Sequence, residues 1–352
     1  MQKKAVFIFG AGAVLDWGGP LTLCKRKAYE RIPEHDTGEI YNRPCCLTHL
    51  LLVTGFYTAT GERITQRIYD RLKQDDPNAY VNFETILNIV EDLYAYWAAR
   101  TDNEKNNLYD LIDVNEDLSE LHHFTTTSSA HHYSLEVPGF TMLDGAEMIH
   151  NDIDPHVKYY ELLINELLSG IVGHISKYAY ASPTHQQFAQ DVNSKVTENF
   201  RSWMRSFVES GHTLRLYTLN YDDIFKRITE SENVTVFDGF FPGHQPDNYQ
   251  AEPNLKRIVT DTDTHCHYNL HGSWYWEVDE YNENQLQSYR YRKSMPGVIN
   301  GSAASIVLEK GKRILLTNII SGYQKVQKTA TSPFRQFFQH LTTIVLKQAT
   351  YI

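Results

Sequence analysis

The sequence predicts an α/β fold in which a mostly parallel sheet carries a large helical insertion. Three observations lead there. Strand-like apolar runs cluster at the two ends of the 352 residues, helical periodicity fills residues 47–210, and most of the strand-like runs stop at a turn or a helix start. Short apolar strands that alternate with helices favour parallel pairing, because each parallel partner needs a crossover to return.

In chain order, the first strand is "AVFIF", residues 5–9, which is continuously apolar and stops at Gly10. Four helices come next, "RITQRIYDRLK", "NFETILNIVEDLYAYWAAR", "VKYYELLINELLSGIVGHISKYAY" and "FAQDVNSKVTENFRSWMRSFVE", each with apolar residues three and four apart. Residues 125–150 lie among them, are polar, contain Pro138-Gly139 and follow no period, so they read as a loop. Strand signals return at "TLRLYTLN" (213–220), "VTVF" (234–237), "HYNL" (267–270) and "RILLT" (313–317). The stretch "SPFRQFFQHLTTIVLKQATYI" reads as a helix with Ser332 as N-cap and Pro333 in the first helical position. Its apolar stripe runs through Phe334, Phe337, Phe338, Leu341, Ile344 and Val345. The closing Thr350-Tyr351-Ile352 favours a strand, which leads to the expectation that these residues are the N-terminal part of a longer polypeptide.

Composition removes several function classes. A net charge of −10 disfavours a nucleic-acid or anionic-membrane surface, which needs clustered Lys and Arg. The opening apolar run is too short for a signal peptide or a membrane span, so a cytoplasmic protein is expected. Four cysteines, Cys24, Cys45, Cys46 and Cys266, include no C-x-x-C pair, so neither a cysteine zinc site nor a disulfide framework is supported. No metal is expected. His265, His267 and His271 share a parity that puts them on one strand face, but no acid accompanies them, and they read as structural. The pairs His122-His123 and His131-His132 read as surface residues, and the aromatic residues, spaced as in helices without interleaved Arg or Lys, as core.

Three stretches carry chemistry. "FIFGAGAVLDWGGP", residues 7–20, runs a strand into Gly10-Ala11-Gly12, a turn whose backbone amides can approach a phosphate without Cβ in the way. As a dinucleotide fingerprint it is incomplete, since the third glycine position holds Leu15. "YTLNYDDIF" ends a strand in Thr218, Asn220 and Asp222, polar groups at alternate positions that either face a ligand together or cap the next helix. "HYNLHGSWYW" delivers His271 at a strand end. Strands ending at Gly10, Asn220 and His271 would converge at the carboxyl edge of one sheet, where open Rossmann-like α/β folds bind ligands.

Gly10-Ala11-Gly12, Thr218-Leu219-Asn220-Tyr221-Asp222 and Leu270-His271-Gly272-Ser273 resemble, in order, the three sequence blocks of the sirtuins. Without zinc cysteines, and with Leu21-Thr22-Leu23 where the deacylases have Asp-Phe-Arg, the chain is similar to the zinc-free sirtuin-like domains of bacterial anti-phage defence proteins. "GAGA" with a Trp-Gly-x-Pro segment, the Phe-Glu-Thr helix of residues 82–87 and "TLNYDD" carry that likeness. The resemblance implies an NAD hydrolase that releases nicotinamide and ADP-ribose and depletes NAD in an infected cell, with NAD as substrate and no metal. It implies that Gly10, Ala11, Gly12 and Ala13 bind the diphosphate and that Pro20 and Thr22, with Trp17, shape the pocket. Thr218 belongs to the cofactor set, Asp222 holds the nicotinamide carboxamide, Asn220 orients ribose or water, and His271 accepts a proton. Two alternatives stay open: a non-catalytic sensor of NAD or ADP-ribose controlling an associated domain, and a protein deacylase. An NAD-destroying enzyme must be restrained, so a homo-oligomer or a complex with a second defence protein is expected, with the insertion covering the pocket or forming the interface.

Overall fold

The computed structural model describes residues 3–17, 19, 29–33, 40–44, 46–55, 63–98, 133–136, 139–142, 155–179, 186–242, 251–280, 289–293, 303–307, 313–321 and 325–349. Its strands are β1 (Lys3–Phe9), β2 (Tyr29–Pro33), β3 (Ile40–Pro44), β4 (Tyr133–Glu136), β5 (Gly139–Met142), β6 (His212–Thr218), β7 (Cys266–Asn269), β8 (Trp276–Glu280), β9 (Tyr289–Lys293), β10 (Ala303–Val307) and β11 (Arg313–Thr317). A 3-10 helix, Ala11–Trp17, comes directly after β1. The α-helices are α1 (Leu47–Leu52), α2 (Ile64–Asp75), α3 (Phe83–Ala98), α4 (Pro155–Ala179), α5 (Gln186–Glu209), α6 (Ile224–Glu230), α7 (Leu255–Thr260), α8 (Lys325–Thr329) and α9 (Phe334–Ala349).

This is a mixed α/β fold around a three-stranded parallel sheet of order β1-β6-β7. Residues opposite one another in register point the same way, so the sheet presents two apolar faces. Ala5, Phe7, Phe9, Leu214 and Leu216 face α5 and α6, where Phe9 stacks on Phe225 at 3.9 Å between ring centroids and Met204 completes the layer. On the other face Tyr268 stacks on Phe337 of α9 at 4.7 Å, and Tyr217 Oη lies 2.8 Å from His340 Nδ1. Burial on both faces explains why β6 and β7 read as apolar runs; β1 is buried on one face only, its Ile8 standing 56% exposed on the other.

Helices α1 to α5 lie in the chain between the neighbouring strands β1 and β6. The predicted helices of residues 63–73, 82–100, 157–180 and 188–209 correspond to α2, α3, α4 and α5. Helix α4 buries residues on more than one side, Tyr160, Leu163, Ile164, Leu167, Leu168 and Ile171 among them, because it packs against both α1 and α3. Each such aliphatic burial is worth about 1.5–3 kcal/mol. Asn82 Oδ1 caps α3 by accepting from Thr85 N at 3.0 Å, and Thr48 Oγ1 accepts from Phe83 N at 2.9 Å. Two ion pairs then tie α3 to α8: Glu84 with Lys325 at 2.8 Å and the buried Glu91 with Lys328 at 2.7 Å.

Four sequence expectations need correction. Among the described strands, parallel ladders join only β1, β6 and β7; "RILLT" (β11) instead pairs antiparallel with β10, since residues 308–312 between them are too few for a parallel crossover. "VTVF" forms a single bridge, Phe237 with Cys266, because its end is drawn aside where Asp238 meets Lys226 at 2.9 Å and Lys293 at 2.5 Å. Within residues 125–150, read as loop, Tyr133–Glu136 and Gly139–Met142 form an antiparallel pair in which Glu136 lies opposite Gly139. Ser332 is not the N-cap of α9: the Pro333 carbonyl accepts from Phe337 N at 3.2 Å, while Ser332 Oγ accepts from the Gln336 side chain at 3.0 Å. Thr350-Tyr351-Ile352, Cys24, Cys45 and the histidine pairs at 122–123 and 131–132 lie outside the described residues.

Candidate functional site

The register of the parallel sheet puts Phe9 beside Thr218 and Thr218 beside Asn269, the last residues of β1, β6 and β7. The loops leaving these three strands therefore emerge at one edge, and Gly10, Asn220 and His271 stand at adjacent strand ends, as the sequence led us to expect. Pairing continues one step beyond the strands: Leu219 N donates to Phe9 O and Leu270 N to Thr218 O, both at 2.9 Å.

At the first strand end, Ala13 N donates to Gly10 O at 3.0 Å as the chain enters the 3-10 helix. A Cβ on Gly10 would meet nothing within 4 Å, and one on Gly12 only Leu15 Cδ1 at 3.8 Å. Other glycines differ. A Cβ on Gly19 would lie 2.4 Å from Val14 Cγ2, and Gly272, at φ +84°, would press a Cβ to 2.1 Å from Asn318 O. The chain's own packing thus accounts for Gly19 and Gly272, and not for Gly10 and Gly12, which are exposed. Trp17 belongs to the core: its Nε1 donates to Thr197 Oγ1 at 2.9 Å and its ring packs edge-on against Phe200 and Phe225. Pro20 and Thr22 lie outside the described residues.

The second strand end is a tightly held loop. Thr218 Oγ1 accepts from Asn220 N at 2.9 Å. The next three carbonyls are all taken by the third block: Asn269 Nδ2 donates to Asn220 O at 3.1 Å and to Asp222 O at 2.8 Å, while Tyr221 O accepts from Ser273 Oγ at 2.8 Å and Trp274 N at 2.9 Å. Asn269 and Ser273 thus join the site. The sequence signal for Asn269 was a lone polar residue ending an apolar strand two positions before His271, and its contact partners, 49 and 47 residues away, had no local trace.

With its backbone so held, Asn220 is 6% exposed and its side-chain Nδ2 has no hydrogen-bond partner. Leaving a buried amide unpaired costs roughly 1–3 kcal/mol. Asp222 is 1% exposed and its Oδ1 accepts from Ile224 N at 3.1 Å; the N-cap of α6 is Asp223, so neither Asn220 nor Asp222 is the cap that the sequence offered as the alternative.

At the third strand end, His271 O accepts from Ile320 N at 2.8 Å and Ser273 N donates to Asn318 O at 3.0 Å, so residues 318–320 cradle the histidine backbone. Burial, with the Lys325 ammonium nearby, lowers the imidazole pKa to about 4. Sequence alone had put this pKa near neutrality; the fold makes His271 a neutral imidazole at pH 7. The other two histidines of its strand diverge from it. His265 Nδ1 accepts from Leu214 N at 3.0 Å, and His267 is fully buried with neither ring nitrogen bonded, contrary to the satisfied strand histidine expected. Among the described residues, no three His, Cys, Asp or Glu side chains are placed to hold a metal ion. Nor is any described helix long and apolar enough to cross a membrane.

A cleft of about 650 Å³ opens beyond the amino ends of β6 and β7, lined by Phe237, Asp238, Phe241, Arg257 and His265 among others. It contains none of the residues that the three blocks bring together. Three of its charged residues are paired within the chain: Asp238 with Lys226 and Lys293, and Arg257 with Asp261 at 2.9 Å and over the Phe237 ring at 4.0 Å. No family model matches the chain, and no curated protein does either.

Proposed function

We propose that the chain is an NAD glycohydrolase whose site is the carboxyl edge of a Rossmann-like sheet, at Gly10–Ala13, Asn220 and His271. One observation carries the reading: a buried carboxamide with no partner, Asn220 Nδ2, stands at a strand end beside glycines that the chain's own packing does not require. A fold that leaves such a donor unpaired is pre-organised for a polar ligand group.

In the proposed reaction NAD lies with its diphosphate over the turn of Gly10, Ala11, Gly12 and Ala13, where the lack of Cβ at Gly10 and Gly12 lets the backbone approach it, although the Ala13 amide is itself given to Gly10 O. The bond between nicotinamide nitrogen and ribose breaks and positive charge develops on the sugar. Asn220 orients the ribose hydroxyls or the attacking water, and neutral His271 accepts the proton that water gives up. The products are ADP-ribose, nicotinamide and a proton. A base with a pKa of about 4 is unprotonated throughout the neutral range but draws the proton weakly, so the reaction relies on positioning more than on basicity. Asp222 sets the loop from below, and its assignment to the nicotinamide carboxamide rests on the sirtuin resemblance. Pro20 and Thr22 complete the pocket in the same reading. In a cell the activity depletes NAD, the anti-phage effector role that the resemblance implies, with the helices of residues 47–210 restraining it in a homo-oligomer or partner complex.

One observation favours a second reading, a module that binds NAD or ADP-ribose without cleaving it: His271 has no hydrogen-bonded orienting group among the described residues, whereas catalytic bases commonly have one. Purified protein incubated with NAD, at enzyme in excess because restrained turnover is expected, separates the two. Nicotinamide release supports the hydrolase; saturable NAD or ADP-ribose binding without release supports the sensor; neither overturns both.

A further inference from the structure

We infer that Asn269 is the positioning residue of the site, the side chain that aims Asn220 by holding the loop on either side of it. The inference rests on the proposed reading for what Asn220 does, and on geometry for how Asn220 is held. Asn269 ends β7, is 1% exposed, and spends both N–H groups of one carboxamide on Asn220 O and Asp222 O. Those carbonyls flank Tyr221, whose own carbonyl is taken by Ser273 Oγ and Trp274 N. Three successive peptide planes are therefore fixed from the strand that leads to His271. The Asn220 side chain makes no bond of its own through Nδ2, so its direction is inherited from its backbone.

The chemistry of the clamp is specific. A carboxamide offers two donors in one plane, and carbonyls two residues apart accept both. Aspartate, of the same shape, offers none when ionised and would face two carbonyl oxygens with a carboxylate. Serine offers one donor. Loss of the clamp turns Asn220 without removing it, and a displacement of about 1 Å at a reacting centre can cost on the order of 100-fold in rate.

The experiment compares Asn269→Ser, Asn269→Asp and Ser273→Ala with Tyr217→Phe, a change that removes an equally buried hydrogen bond on the opposite face of the sheet. Nicotinamide release is read as kcat and KM, and the Asn220 side-chain amide is followed by NMR in protein labelled at asparagine, assigned through Asn220→Ala. The expected result is a kcat loss of about 100-fold in Asn269→Ser with KM for NAD within threefold, a smaller loss in Ser273→Ala because Trp274 N still holds Tyr221 O, and unchanged kcat in Tyr217→Phe. The Asn220 amide resonance moves in both Asn269 variants and stays in Tyr217→Phe. An Asn269→Ser protein with kcat within threefold of wild type, or with the Asn220 resonance unmoved, overturns the inference. Wild-type protein that releases no nicotinamide overturns the NAD reading instead, and the resonance then decides the positioning role alone.

Discussion

The two edges of the parallel sheet use polar groups in opposite ways. At the amino edge a cleft large enough for a ligand is lined in large part by charges already paired within the chain: Asp238 between Lys226 and Lys293, Arg257 on Asp261. At the carboxyl edge the backbone is closely satisfied, with the carbonyls of Asn220, Tyr221 and Asp222 all held, while the Asn220 amide is left alone. Arg215 Nε and the ring nitrogens of His267 are also unbonded, but both residues lie in the middle of strands, whereas Asn220, though as buried at its Nδ2, stands at a strand end. A candidate site is therefore recognised by unspent hydrogen-bonding capacity at a strand end rather than by concavity.

The largest expected effect lies at the amino edge. Asp238→Asn leaves Lys226 and Lys293 without their shared carboxylate, and removing one partner of a buried ion pair costs about 3–5 kcal/mol. Burial alone would raise the Asp238 pKa, but the two ammonium groups outweigh it and hold it at about 2, so the carboxylate is charged whenever the protein is folded near neutrality. Chemical denaturation of the variant checks the loss, with kcat of the surviving folded fraction expected to be unchanged. A variant as stable as wild type, or one that is stable and catalytically dead, would erase the contrast between the edges.

At the other edge the prediction inverts. Asn220→Ala and His271→Ala should each reduce nicotinamide release by about 100- to 1,000-fold while the midpoint of thermal unfolding stays within a few degrees, because each removes a functional group rather than core volume. Asn220→Ala should even gain a little stability, since it deletes an unpaired buried donor. Turnover within tenfold of wild type in either variant would sink the assignment.

The glycines sharpen the comparison at single-atom scale. Gly272→Ala forces a side chain into a left-handed backbone conformation and against Asn318 O, and should cost roughly 3 kcal/mol of stability. Gly10→Ala meets open space and should change stability by no more than about 0.5 kcal/mol. Its effect should appear in NAD affinity instead, measured by calorimetry. Equal destabilisation by the two substitutions would show that the chain's own packing does require Gly10.

Legibility in the sequence tracks the range of the interactions. The strands ending at Gly10, Thr218 and Asn269 were legible because a buried strand is a continuous apolar run and its end is marked by a glycine or a polar residue. The long helices were legible through their period. The hairpin of β4–β5 and the strand β10 were not, because four or five residues carry no period that separates strand from loop, and β11, though read as a strand, gave no sign of its antiparallel partner. Asn269 escaped because its partners lie in another strand's loop, and the acidity of the His271 imidazolium escaped because burial and Lys325 come only with the fold. Asp222 could be read two ways, and its bond to Ile224 N stands one residue ahead of the true cap, Asp223.

The smallest effect concerns pH, where stability and activity should part company. His267 and His340 are almost wholly buried, and burial lowers their pKa values to about 3 and about 4. A histidine with a depressed folded pKa is neutral in the native protein, while the unfolded chain takes up a proton below about pH 6.5. Its contribution is therefore intact above pH 6.5 and declines as the pH falls towards the folded value. By pH 5 each of the two should have cost about 2 kcal/mol, at 1.36 kcal/mol per pH unit. Asp92 works in the other direction. Burial, then Glu91, raise its pKa to about 7 despite Lys328, so the native state takes up that proton first and offsets part of the loss as the pH falls below 7. His271, also lowered to about 4, adds a third such loss, so the net expectation is about 3 kcal/mol less stability at pH 5 than at pH 7.5, measured by denaturant titration, and about 1 kcal/mol in His267→Leu, where one of these titrations is gone. Over the same interval His271, at about 4, remains unprotonated, so kcat should hold nearly constant while stability falls. A stability curve that is flat between pH 7.5 and 5, or a kcat that falls with an apparent pKa near 6.5, would place His271 in water rather than behind the loop that Asn269 holds.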